Sequence, residues 1–324
     1  MKKEKIVLGM SGGVDSSVAA ILLQKKGFEV YGVFMKNWDD KNAICNAEDD
    51  YADAVSVCNQ LNIPLKKINY TKEYKDRVFS QFLDDHKNGF TPNPDVLCNK
   101  EIKFDVFQKY AKQIGATKIA SGHYAKIVKE NDNFFISKAS DRTKDQSYFL
   151  YQLKSPLLHN IEFPLGSLLK KDIRKIAEEN NLVNASKKDS TGICFIGDRK
   201  YNDFVCQFLK TKKGKIITVD GEEIGHHDGH MYFTVGQRKG LGIGARNSAF
   251  DKPWYVVNKD INKNIVYVAQ GGTHPALFSD QLLADNMYWS RDISKLLPFK
   301  CNAKVRYRDA VSYTHLRAHE TSID

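Results

Sequence analysis

Hydrophobic positions over the first 125 residues fall into short blocks, and the blocks alternate between two periods. Residues 6–10 are an unbroken apolar run that leads into glycines, the pattern of a strand buried on both faces. Residues 14–26 repeat their apolar positions at helical spacing and stop at Gly27. Runs at 30–35 and 65–68 read as further strands, 48–61, 72–87 and 100–114 as helices, and 118–120 as a fourth strand. This alternation predicts an α/β fold, a parallel sheet covered by helices on both faces. Such sheets take ligands at the carboxyl ends of their strands. From Gly214 the texture changes to short alternating runs at 215–219, 231–235, 254–258 and 264–269, separated by glycine clusters. That predicts small β-rich modules. The expected division is 1–209, 210–271 and 272–324. The last residues, 311–324, do not continue the strand pattern and resemble translated sequencing-adapter sequence, so they are expected to be non-native.

Composition narrows the class. Of 324 residues, 42% are hydrophobic and 27% charged, enough apolar material for packed cores and too much for a disordered chain. No apolar stretch approaches membrane-spanning length, and the basic N-terminus lacks a secretory apolar core, so a cytoplasmic protein with no membrane partner is expected. Lys and Arg exceed Asp and Glu by 49 to 39, and the net charge of +10 favours a polyanionic partner. The six cysteines form no CxxC pair, which disfavours structural zinc and disulfide stapling and leaves buried or reactive single thiols. Cys58 and Cys206 read as core residues on helices. HHDGH (226–230) lacks supporting ligands and reads as a polar turn; no metal centre is assigned.

Three motifs carry chemistry. SGGVDSS (11–17) lies directly between a predicted strand and helix. Gly12 and Gly13 permit a tight turn, Ser11, Ser16 and Ser17 add hydroxyls, and the helix start aims free N–H groups at the same point, making an anion cradle. It is not a Walker loop, since GxxxxGK[ST] is missing. The second motif, TPNPDVLCNKEIKF (91–104), puts Cys98 near a helix start with Lys100 and Lys103 behind it. A free thiol is only about 3% thiolate at pH 7, and that setting is expected to lower its pKa. Asp95 offers a proton-transfer partner. Cys98 therefore reads as a nucleophile. The third motif, DSTGICFIGDRKYNDF (189–204), places Cys194 in a glycine-flanked segment expected to be mobile, where buried and reactive readings are equally open.

The phosphate loop resembles that of the N-type (PP-loop) ATP pyrophosphatases, with their adenine-nucleotide α-hydrolase-like fold. With both cysteine motifs, SGHYAKI (121–127), KDQSYFLY (144–151) and VGQRKGLGIG (235–244), the chain to about Asp309 closely resembles the tRNA-specific 2-thiouridylases. The resemblance implies ATP-dependent adenylation of the 2-oxygen of the wobble uridine in tRNAs for Lys, Glu and Gln, then sulfur transfer, with Mg2+. It implies an ATP site at Gly9, Met10, Ser11, Gly12, Gly13, Val14, Asp15 and Ser16, with Met35 and Gly122 beside the nucleotide and Asp15 near magnesium or pyrophosphate. Cys194 would carry a persulfide from a relay protein or a cysteine desulfurase, Cys98 would act as nucleophile on base or persulfide, and a Cys98–Cys194 disulfide would follow in the latter case. Asp95 would be the acid/base. Asn93, Pro94 and Asp95 would meet the target base; Lys144, Asp145 and Gln146, and Arg306 and Tyr307 on a C-terminal β-barrel, would meet tRNA. That barrel is expected to be incomplete here. Alternatives are another PP-loop pyrophosphatase (a different thiolase or an amidotransferase-type ligase) or a non-catalytic RNA-binding module.

Overall fold

In the computed structural model the described residues are 3–39, 47–189, 192–197, 199–243, 252–285, 287–290, 293 and 296–307, with the backbone of 312–316. Strands β1 (Lys5–Gly9), β2 (Glu29–Lys36), β3 (Leu65–Asn69), β4 (Lys118–Ala120) and a short Ile161–Glu162 strand form one parallel sheet. Its order is β3-β2-β1-β4 followed by Ile161–Glu162. The chain winds outward from β1 in one direction through β2 and β3, then returns to β1's other side with β4. The loops after β1 and β4 therefore flank a crevice at the point where strand order reverses.

Alternation along β1 sorts the core into two layers. Ile6 and Leu8 pack with helix α1 (Val14–Lys25), helix α2 (Ala47–Gln60) and helix Lys170–Glu179. Val7 points the other way, toward Phe104, Phe107 and Ile119. Both layers are completely buried at β1, which is why that strand has no polar position between Ile6 and Leu8. Each such side chain contributes roughly 1.5–3 kcal/mol by leaving water. A hairpin, Ala125–Glu130 with Asn133–Lys138, follows β4; its two-residue loop, Asn131–Asp132, has φ of 46° and 64°, a turn whose twist suits paired strands.

Beyond residue 213 a separate four-stranded sheet is built from Gly214–Thr218, Glu223–His227, Trp254–Asp260 and Ile265–Gln270. Residues 231–235, expected to be a strand, instead form a 3-10 turn at His230–Tyr232. The N–H groups of Tyr232 and Phe233 go to the carbonyls of Gly229 and His230 rather than to a neighbouring strand. The C-terminal expectation also needs correction. Ser312–Leu316 pairs antiparallel with Phe299–Ala303, so part of the segment expected to break the strand pattern continues it. Residues 317–324, Cys45 and Gly244 lie outside the described residues.

Candidate active site

The loop between β1 and α1 is preorganised by its own hydroxyls. Ser16 and Ser17 each donate to the Gly13 carbonyl at 3.0 Å, and Ser16 Oγ accepts from the Ser11 N–H at 3.2 Å. The first turn of α1 has no side-chain cap. Its N–H groups and the positive end of the helix dipole thus face the crevice. Gly12 sits at φ 76°, and a Cβ there would lie 2.1 Å from the Asp50 carbonyl oxygen, so only glycine fits. Buried Asn184 ties the loop down from the other side, donating to the Gly12 carbonyl and Ser17 Oγ at 2.9 Å. Gly122, after β4, approaches so closely that a Cβ would meet Ser16 N at 3.0 Å. Met35 lies at the C-terminal part of β2, its Cε 3.2 Å from where a Gly9 Cβ would be. Met10 and Val14 turn their side chains into the core, which leaves their backbone to the crevice.

An ion network extends from this loop. Asp15 Oδ1 accepts from Tyr124 OH and from Lys170 Nζ, both at 2.7 Å. Lys170 Nζ also reaches Asp189 Oδ1 at 2.7 Å. Asp189 is held further by Arg174 (2.9 Å) and Lys144 (2.7 Å). Burial opposes ionisation of Asp189, but hydrogen bonds from Lys144 and Lys170 outweigh it and bring its carboxyl down to about 2. Burial, then Asp15, pushes the Tyr124 hydroxyl well above its ordinary range, so it is a fixed donor. Neither Lys170 nor Asp189 stood out in the sequence as a site residue, although Asp189 opens the Cys194 motif.

Tyr74 links the surroundings of the two thiols: it packs in one buried cluster with Cys98, and its hydroxyl contacts the Cys194 sulfur. The helical rod carrying Cys98 starts at Pro94, six residues before the expected start, and widens to π-helical bonding over Cys98–Val106. Cys98 is therefore a full turn inside the helix, 4% exposed, among Tyr74, Phe82 and Ile102. Burial pushes its thiol up to about 12, against the smaller opposing pull of Lys103. The expected low pKa is overturned: the residues that bury it, from 74–82 and 195–204, are distant in sequence. Alkylation of folded protein by iodoacetamide should accordingly be slow at Cys98 at pH 7 and rise about tenfold per pH unit above pH 9, read by mass spectrometry. Fast labelling that levels off by pH 8 would contradict this environment.

Cys194 is exposed as a residue, yet its sulfur lies 3.2 Å from the buried Tyr74 hydroxyl. Burial of that sulfur raises its pKa, against the pull of the Tyr74 hydrogen bond. The segment expected to be mobile is anchored by Phe195 and Ile196, both buried. Phe195 packs on Phe82 and Phe79 at ring distances of 5.0 and 5.3 Å. Burial is the main cause of the raised Tyr74 pKa, with smaller influences from Cys194, Cys98 and Asp95, and Tyr74 packs in the same buried cluster as Cys98. Asp95 is raised chiefly by burial, as suits a carboxyl that exchanges a proton. Lys103 bears on both thiols, Asp95 and His123, and the His123 ring packs 5.9 Å from Phe104 while its Nδ1 lies 2.7 Å from Ser121 Oγ. Ser121 and Gly122 lead back to the phosphate loop. Cys206, expected in the core, is exposed at the end of the short helix Tyr201–Val205. The described cysteines are all free thiols.

The remaining sequence candidates form the rim. Asn93 directly precedes the Cys98 helix without a side-chain capping bond and is partly exposed, and Pro94 is buried. Lys144, Asp145 and Gln146 are engaged internally. Lys144 bonds Asp189, Asp145 accepts from Ala139 N and Ser147 Oγ, and Gln146 exchanges two bonds with the Tyr124 backbone. Arg306 donates to the Val235 carbonyl at 2.6 Å, and the Tyr307 ring lies 4.7 Å from Phe149. Phe149's carbonyl accepts from Asn99, next to Cys98. Residues 149 and 307 thus converge beside the Cys98 helix. His227, from the histidine cluster, is buried against Phe233, and no group of three metal-ligating side chains occurs among the described residues.

Comparison with known proteins adds the family. A profile described as "tRNA methyl transferase HUP domain" matches residues 4–198, and one described as "tRNA methyl transferase PRC-barrel domain" matches residues 202–270. The tRNA-specific 2-thiouridylase MnmA 1 of Geobacillus kaustophilus (strain HTA426) is 52% identical over 326 residues, covering 99% of this chain and 88% of that protein. The MnmA proteins of Legionella pneumophila (strain Lens) and Alkaliphilus oremlandii (strain OhILAs) are 52% and 51% identical, covering 94% and 95% of this chain and 85% and 84% of theirs. With relatives about half identical over nearly its whole length, the chain belongs to the tRNA-specific 2-thiouridylase family.

Proposed function

We propose that the protein is an ATP-dependent tRNA sulfurtransferase that converts the 2-oxygen of a wobble uridine to sulfur. The observation that carries this reading is the Cys194 sulfur held at the hydroxyl of Tyr74, a residue of the same buried cluster as Cys98. The uracil 2-oxygen is a poor leaving group. Transfer of AMP from ATP to that oxygen, with loss of pyrophosphate, makes it a good one. ATP is a co-substrate here, held by the backbone of residues 9–16 with Met35 and Gly122 alongside. Mg2+ is commonly held by one or two carboxylates plus phosphate oxygens, so the single carboxylate of Asp15 at the loop suffices.

For the sulfur step, Cys194 carries a persulfide. Its exposed position suits loading by a donor protein or a cysteine desulfurase. Cys98 loses its proton to Asp95 and attacks the inner sulfur. A Cys98–Cys194 disulfide forms and hydrosulfide leaves; the hydrosulfide attacks C2, and AMP departs. An external thiol then reduces the disulfide. The buried setting keeps Cys98 protonated, and so unreactive, until the base and Asp95 are in place. Asn93, Pro94 and Asp95 line the approach for a base splayed out of the anticodon loop. Lys144, Asp145, Gln146, Arg306 and Tyr307 border that approach, and the +10 charge favours the tRNA phosphates. In domain terms, 1–209 supplies the chemistry, while 210–271 and the C-terminal β-rich segment 272–324 supply the rim.

The test is direct. Protein, ATP, magnesium, sulfide and unmodified tRNA for Lys are incubated, and products are read by mass spectrometry. The expected products are 2-thiouridine and AMP in equal amounts. ADP as the product, or no thiolated base, overturns the reading.

A further inference from the structure

We propose that Lys170 is the phosphate-binding cation of the ATP site and that Asp189 is the positioning residue that holds it ready. The inference rests on reading the loop as an ATP site. SGGVDSS contains no lysine, yet splitting ATP between its α- and β-phosphates builds negative charge on the departing pyrophosphate. Some cation must meet that charge, and Lys170 stands where it is needed. Its Nζ is 2.7 Å from Asp15 Oδ1, on the first turn of α1, and its side chain is only 14% exposed. Its helix is fixed against the α1 layer by buried Ile173 and Ala177, and its backbone N–H donates to Asp141 at 2.9 Å.

The surrounding charges make transfer of Lys170 to a phosphate inexpensive. Asp189 has three cationic partners, Lys144, Lys170 and Arg174, and keeps two when Lys170 turns away. Asp15 keeps the Tyr124 hydroxyl and becomes available to a metal ion. Lys170 thus exchanges one carboxylate partner for a phosphate oxygen without stranding a buried charge.

Calorimetric titration without tRNA separates the possibilities, using ATP and AMP with magnesium on wild type, K170M and K170R. A charge-assisted bond to the outer phosphates predicts a Kd for ATP raised roughly 10- to 100-fold in K170M, an AMP affinity within about twofold of wild type, and recovery of most ATP affinity in K170R. Unchanged ATP binding in K170M, or equal loss of ATP and AMP, overturns the assignment. Wild type that binds no ATP at all would instead sink the ATP-site reading itself. Should K170M fail to fold, acetylation of Lys170 in wild type decides. Protection by ATP and not by AMP supports the role, and equal labelling with both contradicts it.

Discussion

Cys194→Ser is expected to abolish tRNA thiolation from a persulfide donor, by on the order of 10³-fold or more, while thiolation from free sulfide survives to a greater extent. The difference follows from where the sulfur sits. Cys194 is exposed as a residue, open to loading by a partner, and its sulfur contacts the hydroxyl of Tyr74, which packs in the cluster that buries Cys98. Serine keeps the size and a hydrogen bond to Tyr74, so the fold and ATP binding should be unchanged. Free sulfide bypasses loading and needs only the activated base. Comparable loss with both sulfur sources would show that Cys194 is not the relay. The check is quantitation of 2-thiouridine with each donor, beside ATP affinity as a control.

Gly12→Ala should remove ATP binding almost entirely. The added Cβ would stand 2.1 Å from the Asp50 carbonyl oxygen and 2.8 Å from its carbon, both backbone atoms of α2, so relief requires moving the helix or the loop. The φ of 76° adds strain of order 1–3 kcal/mol for a non-glycine residue. Both costs fall on the turn whose N–H groups are proposed to meet the phosphates. A melting temperature lowered by a few degrees together with loss of ATP binding is the expected outcome. Wild-type affinity in this variant would mean that the nucleotide does not use this turn. By contrast, a Cβ on Gly13 meets nothing closer than Ser11 Oγ at 3.5 Å, so Gly13→Ala should be much milder.

What could be read from the chain was what it encodes locally. The β1–loop–α1 unit is contiguous, and its strand run, glycine pair and serines lie within residues 6–17. SGHYA was legible for the same reason. The electrostatic state of Cys98 was not, because it depends on Tyr74, Phe82 and Phe195, brought in from outside its own helix. Nothing near Lys170 marks it, since its partner Asp15 is 155 residues away. The resemblance implies that Lys144 and Gln146 meet tRNA; their bonds to Asp189 and the Tyr124 backbone span distant segments and are not legible in the sequence. Cys206 was misplaced because its helix spans only five residues, too short for a period to define a buried face. The 3-10 turn at His230–Tyr232 follows from hydrogen bonds within the turn that an alternating apolar pattern does not reveal.

The proposed chemistry turns on sulfur passing between Cys194 and Cys98. Protein loaded with persulfide at Cys194 is taken through a single turnover with ATP and tRNA in the absence of reductant, then digested and mapped by mass spectrometry. A Cys98–Cys194 linked peptide formed in step with 2-thiouridine is the predicted result. Thiolated tRNA produced while Cys98 stays a free thiol would contradict it.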